Sequence, residues 1–179
     1  PMNTENRLKK PAYFISDPWT NTYSDNSKFS KKISLMLKQT VNDNASGSIS
    51  FISFLTILEI ILRTFHYKKT LILFRLILSS IIKPWKKSLV LDYLIHMAHL
   101  YLIKKKLSNF SSIFLNAGAH IQHHYFYNSP FVTNENLINP DWYLKPDEDP
   151  FLEMLFVYDK ILQDIFSNKD KNTEVIIAT

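Results

Sequence analysis

Residues 111–125 read Ser111-Ser112-Ile113-Phe114-Leu115-Asn116-Ala117-Gly118-Ala119-His120-Ile121-Gln122-His123-His124-Tyr125. A compact apolar run, 111–115, leads directly into a segment of helical phase. The junction holds Asn116, Gly118 and three of the chain's six histidines. A short apolar run of this kind fits a buried strand. Read so, the last third of the chain is an α/β unit. Strand 111–115 is followed by a short helix over 120–127, a long loop over 128–150 marked by four prolines, a helix over 151–166, a turn at 169–172 and a second buried-type strand over 174–178. Strands connected through helices lie parallel. Ligands in such sheets bind beyond the carboxyl ends of the strands, which is where the three histidines fall.

The residues before this unit have another character. The segment 11–16 reads as a short strand, broken by Asp17-Pro18 into loop. Phe29, Ile33, Leu37 and Val41 recur at spacing four and predict an amphipathic helix over 29–41. Residues 50–67 and 69–83 predict two further helices across a short basic turn. Pro84 stands where a helix begins, and Trp85, Leu89, Tyr93, Met97 and Leu100 hold helical phase to about Lys106. The expectation is an α/β fold, helix-rich overall, with a partial parallel sheet and a large helical cap over 29–106. It is organised as a single incomplete domain over 1–179: strand and loop 1–28, cap 29–106, α/β core segment 107–179. A chain that opens on Pro1 and closes inside a central-type strand at Thr179 reads as the middle of a larger protein.

Composition removes several classes. At 46% apolar and 21% charged, the 179 residues suit a globular domain and not a disordered chain. The absence of Cys excludes a disulfide scaffold and any thiolate-held zinc or iron–sulfur site. With only Gly47 and Gly118, no glycine-rich phosphate loop exists. The first ten residues lack the apolar core of a secretory signal. The runs 49–65 and 70–82 carry Glu59, Arg63 and Arg75 and are too short and too charged to span a bilayer. With no Cys and no such signal, the expected location is the cytoplasm. The charge is lopsided: residues 1–106 hold 17 Lys and Arg against 6 Asp and Glu, and residues 107–179 hold 4 against 10. A basic half favours an anionic partner. The basic runs flank apolar helices without interleaved aromatics, which argues against nucleic acid and for peripheral contact with a lipid surface.

The histidines carry the chemistry. His120 and His124 share a helix face at spacing four, and His123 joins them at spacing three from His120. Neutral imidazoles at such spacing suit zinc and similar ions. Asn116, four residues before His120, offers an amide oxygen, and Gly118 allows close backbone approach. The same residues also fit a simpler role as helix caps and loop anchors. A second set, Asp92, His96 and His99, lies on the long basic helix, with Asp92 spaced to orient His96; an ordinary surface pair fits that spacing as well. The run Asp147-Glu148-Asp149 reads as acidic residues favoured at a helix N-terminus ahead of Pro150.

The stretch 114–125 resembles the alkaline phosphatase superfamily, specifically type I phosphodiesterases and nucleotide pyrophosphatases. In that family a strand ends in Asp, His follows four residues later, and both bind metal. Asn116 falls on the Asp position and His120 on the His position. The segment 13–20 resembles an earlier strand and Pro-rich loop, 151–166 (with Tyr158-Asp159) a later helix, and 175–179 the strand after it. The resemblance implies a partial alkaline-phosphatase-like sheet and a metal-dependent hydrolase of phosphate or sulfate esters or phosphodiesters. His120 and Asn116 would hold a divalent metal, zinc by preference, in the complete protein. His123, His124 and Gly118 would contact substrate or support the ligands. The substrate would be an anionic small molecule or a saccharide- or lipid-linked phosphate. It would be drawn in by Lys68, Lys69, Lys83, Lys86, Lys87, Lys104, Lys105 and Lys106. Asn116 in place of Asp removes a charge from that site and weakens metal binding, so this chain alone need hold no metal. The Thr or Ser nucleophile has no match here, which implies an inactive segment. The alternative reading is a basic helical module that binds an anionic membrane surface or another anionic partner.

Overall fold

A computed structural model describes residues 11–16, 18, 25, 27–42, 49–105, 108–132 and 138–178. These residues form six α-helices: α1 (Lys28–Asn42), α2 (Phe51–Arg63), α3 (Tyr67–Ile82), α4 (Lys87–Lys105), α5 (Ala117–Tyr125) and α6 (Pro150–Asn168). Two short 3-10 turns, Pro84–Lys86 and Phe126–Asn128, precede α4 and follow α5. The predicted helices are present, with shifted ends. The clearest shift is Pro84, which opens the 3-10 turn instead of α4 itself.

The expected sheet is not there. Among the described residues none is paired as a β-strand, and the α/β reading gives way to a helical fold. A strand exists only where a neighbour takes its N–H and C=O groups. At 11–16 the backbone of Phe14 turns to Asp25: its N–H donates to Asp25 Oδ2 at 3.0 Å, and its carbonyl accepts from the Asp25 N–H at 3.3 Å. The run 111–115, expected as a buried strand, is irregular, and Ser111, Ser112 and Phe114 are exposed. The run 174–178 is likewise irregular, with Ile176 84% exposed. Each run has the apolar composition and flanking turns of a strand, and neither supplies a pairing partner.

The chain divides into two compact units. One comprises Pro1–His66 and Met97–Ser112, the other Tyr67–His96 and Ile113–Thr179. The first holds α1, α2 and the second half of α4. Its buried apolar residues include Phe29, Ile33, Met36 and Leu37 of α1, at helical spacing, and Ile60 of α2. Ser50 caps α2 with its Oγ accepting from the Ser53 N–H at 3.2 Å. The same Oγ donates to Gln39 Oε1 of α1 at 2.5 Å, and Ser53 Oγ bonds to that oxygen as well. Ser50→Ala therefore removes a cap and an interhelix link together. It is expected to cost about 1 kcal/mol or slightly more in urea denaturation.

The second unit holds α3, the first half of α4, α5 and α6. Its buried residues include Leu73, Leu89, Tyr93, Ile121, Met154 and Ile161. Asp149 caps α6 as its acidic run predicts: Oδ1 accepts from the Leu152 N–H at 3.0 Å, with Pro150 in the first turn. Glu148 beside it accepts from Trp85 Nε1 at 3.0 Å and pairs with Lys83 at 3.3 Å. Helix α4 is apolar around most of its circumference, and residues 92–94 and 96–100 are buried; its exposed charges, Lys87, Lys104 and Lys105, lie in its first and last turns. That pattern marks an interior helix.

Candidate functional site

The residues nominated by the sequence separate into three places. The first is the start of α5. Asp92, 2% exposed, projects from α4 and takes the first N–H groups of α5. Its Oδ1 accepts from the Asn116 N–H at 3.2 Å and its Oδ2 from the Ala117 N–H at 2.8 Å. Tyr158 of α6 donates its hydroxyl to the same Oδ2 at 2.8 Å and accepts the Gly118 N–H at 2.7 Å. Three donors of one helix end are thus satisfied by two side chains from two other helices, a cap assembled in space. Burial, only partly offset by these donors, pushes the Asp92 carboxyl above the usual carboxylate range. Burial and the neighbouring carboxylate push the Tyr158 hydroxyl up as well, so it stays protonated and donating. A Cβ on Gly118 would lie 3.2 Å from Tyr158 Cε2 and Oη. The close approach that Gly118 permits is to Tyr158, and the N–H groups of 116–118 are occupied.

Beyond this cap, α5 displays its polar face. Positions 116, 120, 123 and 124 lie within about one quadrant of the helix by its 3.6-residue repeat. Asn116 is exposed, and its side chain makes no capping bond. The His120 and His124 rings are 4.7 Å apart between centroids. Burial, with the neighbouring His124 and His123, pushes the half-buried His120 imidazole below its usual value, which keeps it neutral at pH 7. Tyr143 Oη meets His124 Nδ1 at 3.3 Å. His123 is exposed.

The second place is His96, fully buried. Its Nε2 lies 3.1 Å from Asp164 Oδ2 of α6, which also takes Lys69 Nζ of α3 at 2.9 Å. Tyr93 stacks at a tilt against it, 5.9 Å between centroids. Among the described residues, His96 Nδ1 and the Tyr93 hydroxyl are buried without a hydrogen-bond partner. Asp92, expected to orient His96, is turned to α5, and Asp164 has the part instead. The third place belongs to the other unit: His99 Nε2 is 2.7 Å from Ser111 Oγ, which also bonds to the Tyr13 hydroxyl.

The sequence reading gave no site role to Tyr158, Asp164 or Tyr143, and it took Lys69 as a cation for the substrate and not as the partner of Asp164. Tyr158 had a signal: it shares the inward stripe of α6 with Met154 and Ile161, where an aromatic with a polar tip needs a buried partner. Of the lysines nominated to attract substrate, Lys69, Lys83 and Lys86 are engaged by Asp164, Glu148 and Glu153. Lys106 lies outside the described residues.

The donors on α5 have the right chemistry for a zinc-class ion but not the number. Two imidazoles fall one short of the three His, Cys or carboxylate ligands that a catalytic zinc takes, and a neutral amide is a weak substitute for the third. Among the described residues no group of three His, Asp or Glu side chains stands together as a metal site. No described helix is long and apolar enough to cross a membrane. No family model matches the chain, and neither a curated protein nor a solved structure matches it.

Proposed function

We propose that the chain supplies one wall of a site that hydrolyses phosphate or sulfate esters or phosphodiesters, with α5 as that wall. The observation that carries this reading is the display of Asn116, His120 and His124 on one face of a helix whose start is fixed by Asp92 and Tyr158. Preorganised polar groups on a rigid element are what ester hydrolysis needs at the transferred group. His120, held neutral, serves as ligand or hydrogen-bond partner. Asn116 offers an amide to the oxygens of the transferred group. His124 is steadied by Tyr143, and His123 reaches the substrate from the exposed side. A bound divalent ion would act as Lewis acid toward the ester oxygen. The alcohol nucleophile and the remaining ligands come from outside this chain, and alone the chain is inactive. The reaction class follows from the resemblance of 114–125.

The test uses the natural protein in which this sequence stands. Such a protein is expected to turn over aryl phosphate, phosphodiester or sulfate esters with a divalent metal. His120→Ala should lower kcat/KM by about a hundredfold or more. Lack of turnover with every divalent metal, or full activity in His120→Ala, rejects the proposal.

A further inference from the structure

Helix α2 is built inside out. Its buried positions are Ser53, Thr56 and Ile60, two of them polar, with Ser53 3% and Thr56 2% exposed. Its opposite face carries Phe51, Phe54, Leu55, Leu58 and Leu62, continued by Phe65 past the end of the helix. Phe51 is 74% exposed, Leu62 68% and Phe65 67%. An apolar residue exposed singly needs no explanation, but a row of six at helical spacing marks a surface meant to be covered. The polar side faces inward because small hydroxyls allow close approach to α1, where Gln39 binds both Ser50 and Ser53. The only acid on the helix, Glu59, is held between Lys32 at 2.6 Å and Arg63 at 2.8 Å. The described residues of this unit carry seven cations, four lysines of α1 with Arg63, Lys104 and Lys105, against two anions, Asp25 and Glu59.

We propose that α2 is a docking helix for an anionic lipid surface, lying in the headgroup region with Phe51, Leu55, Leu58 and Leu62 toward the acyl chains. Charge complementarity selects this occupant: a second copy of an equally cationic unit would be repelled, whereas anionic headgroups attract it. Length selects the mode. Thirteen residues span about 20 Å, too little for a hydrocarbon core of about 30 Å, so the helix lies on the membrane and does not cross it. The inference is independent of the hydrolase reading, because it uses no residue of α5.

Flotation of the whole chain with vesicles of phosphatidylglycerol and phosphatidylcholine tests it. The protein is expected to float with the mixed vesicles, to float far less with pure phosphatidylcholine, and to be released progressively by salt. Leu58→Ser and Leu62→Ser alter exposed positions, so the fold should be retained, with circular dichroism as the check. Each is expected to lower partitioning about tenfold or more. Phe54→Trp should shift its emission to the blue on mixed vesicles only. Failure to float, equal flotation on both vesicle types, or unchanged flotation of both serine variants overturns the proposal. So does concentration-dependent dimerisation without lipid that Leu62→Ser abolishes, which would assign the face to a second copy.

Discussion

Asp92→Ala is expected to destabilise the protein by about 3 kcal/mol, a fall in Tm of about 6–12 °C for a chain of this size. The carboxylate accepts from Asn116, Ala117 and Tyr158, so its removal leaves three donors without an acceptor. The Ala117 N–H is buried and gains no water in exchange. Asp92→Asn keeps one oxygen and should cost less. Tyr158→Phe frees the Gly118 N–H and takes one donor from Asp92 Oδ2, which keeps the Ala117 N–H, and should cost about 1–2 kcal/mol. Hydrogen exchange distinguishes a local from a general effect, since the amides of 117 and 118 should lose protection first. The pH dependence has a definite sign. Burial raises the folded-state value of Asp92 above 3.8, so its protonation linkage favours folding at acid pH and is lost as pH rises through the folded value. Asp92→Asn should remove that part of the acid-side profile. Unchanged melting of Asp92→Ala with full protection at Ala117 would show that the α5 cap does not depend on this residue.

The same cap shows why part of the fold was legible and part was not. Helix α1 follows from Phe29, Ile33 and Leu37, all within one window of sequence, and α6 from an acidic residue and Pro150 at its start. Helix α5 was expected from 120 and begins at Ala117, because the group that secures its first turn comes from Asp92, twenty-five positions upstream of Ala117. Trp85 with Glu148, His96 with Asp164 and Asp92 with Tyr158 are separated by more than sixty residues, and no periodicity announces such pairs. The strands failed for the complementary reason. Ile113-Phe114-Leu115 and Val175-Ile176-Ile177 have the composition of paired strands, yet pairing is a property of two segments, and Ile176 and Ile177 remain exposed. The candidate residues stand out in the sequence by type and spacing alone. Only the structure sorts them into a cap (Asp92, Gly118), a displayed face (Asn116, His120, His123, His124) and a buried pair (His96 with Asp164).

That buried pair gives the second large effect. Stability is expected to fall as pH drops below 6.5, by up to about 1.4 kcal/mol per pH unit for the His96 proton. Burial holds the folded-state value of His96 below 6.5, although the Asp164 carboxylate pulls the other way and Lys69 adds to the depression. The unfolded chain therefore binds the proton more readily. The stabilisation is complete above 6.5 and is lost as pH falls toward the folded value. The groups around the ring fix the signs of the variants. Asp164→Asn removes the charge that favours imidazolium, lowers the folded value and should extend the labile range to lower pH. Lys69→Met removes the opposing charge and should narrow it. The Tyr93 hydroxyl, pushed up by burial and by Asp164, stays neutral and adds no slope. His120 is depressed in the same direction, so His96→Leu should keep a residual slope that the double variant with His120→Ala loses. Urea midpoints measured across the acid to neutral range decide the matter. A profile in His96→Leu that parallels the parent would mean that the ring is not held neutral in the folded state. If instead the slope drops with His96 and Asp164→Asn moves it as stated, then the contact of α4 with α6 is secured by a neutral imidazole, and a single proton on Nδ1, where no acceptor stands among the described residues, is enough to weaken it.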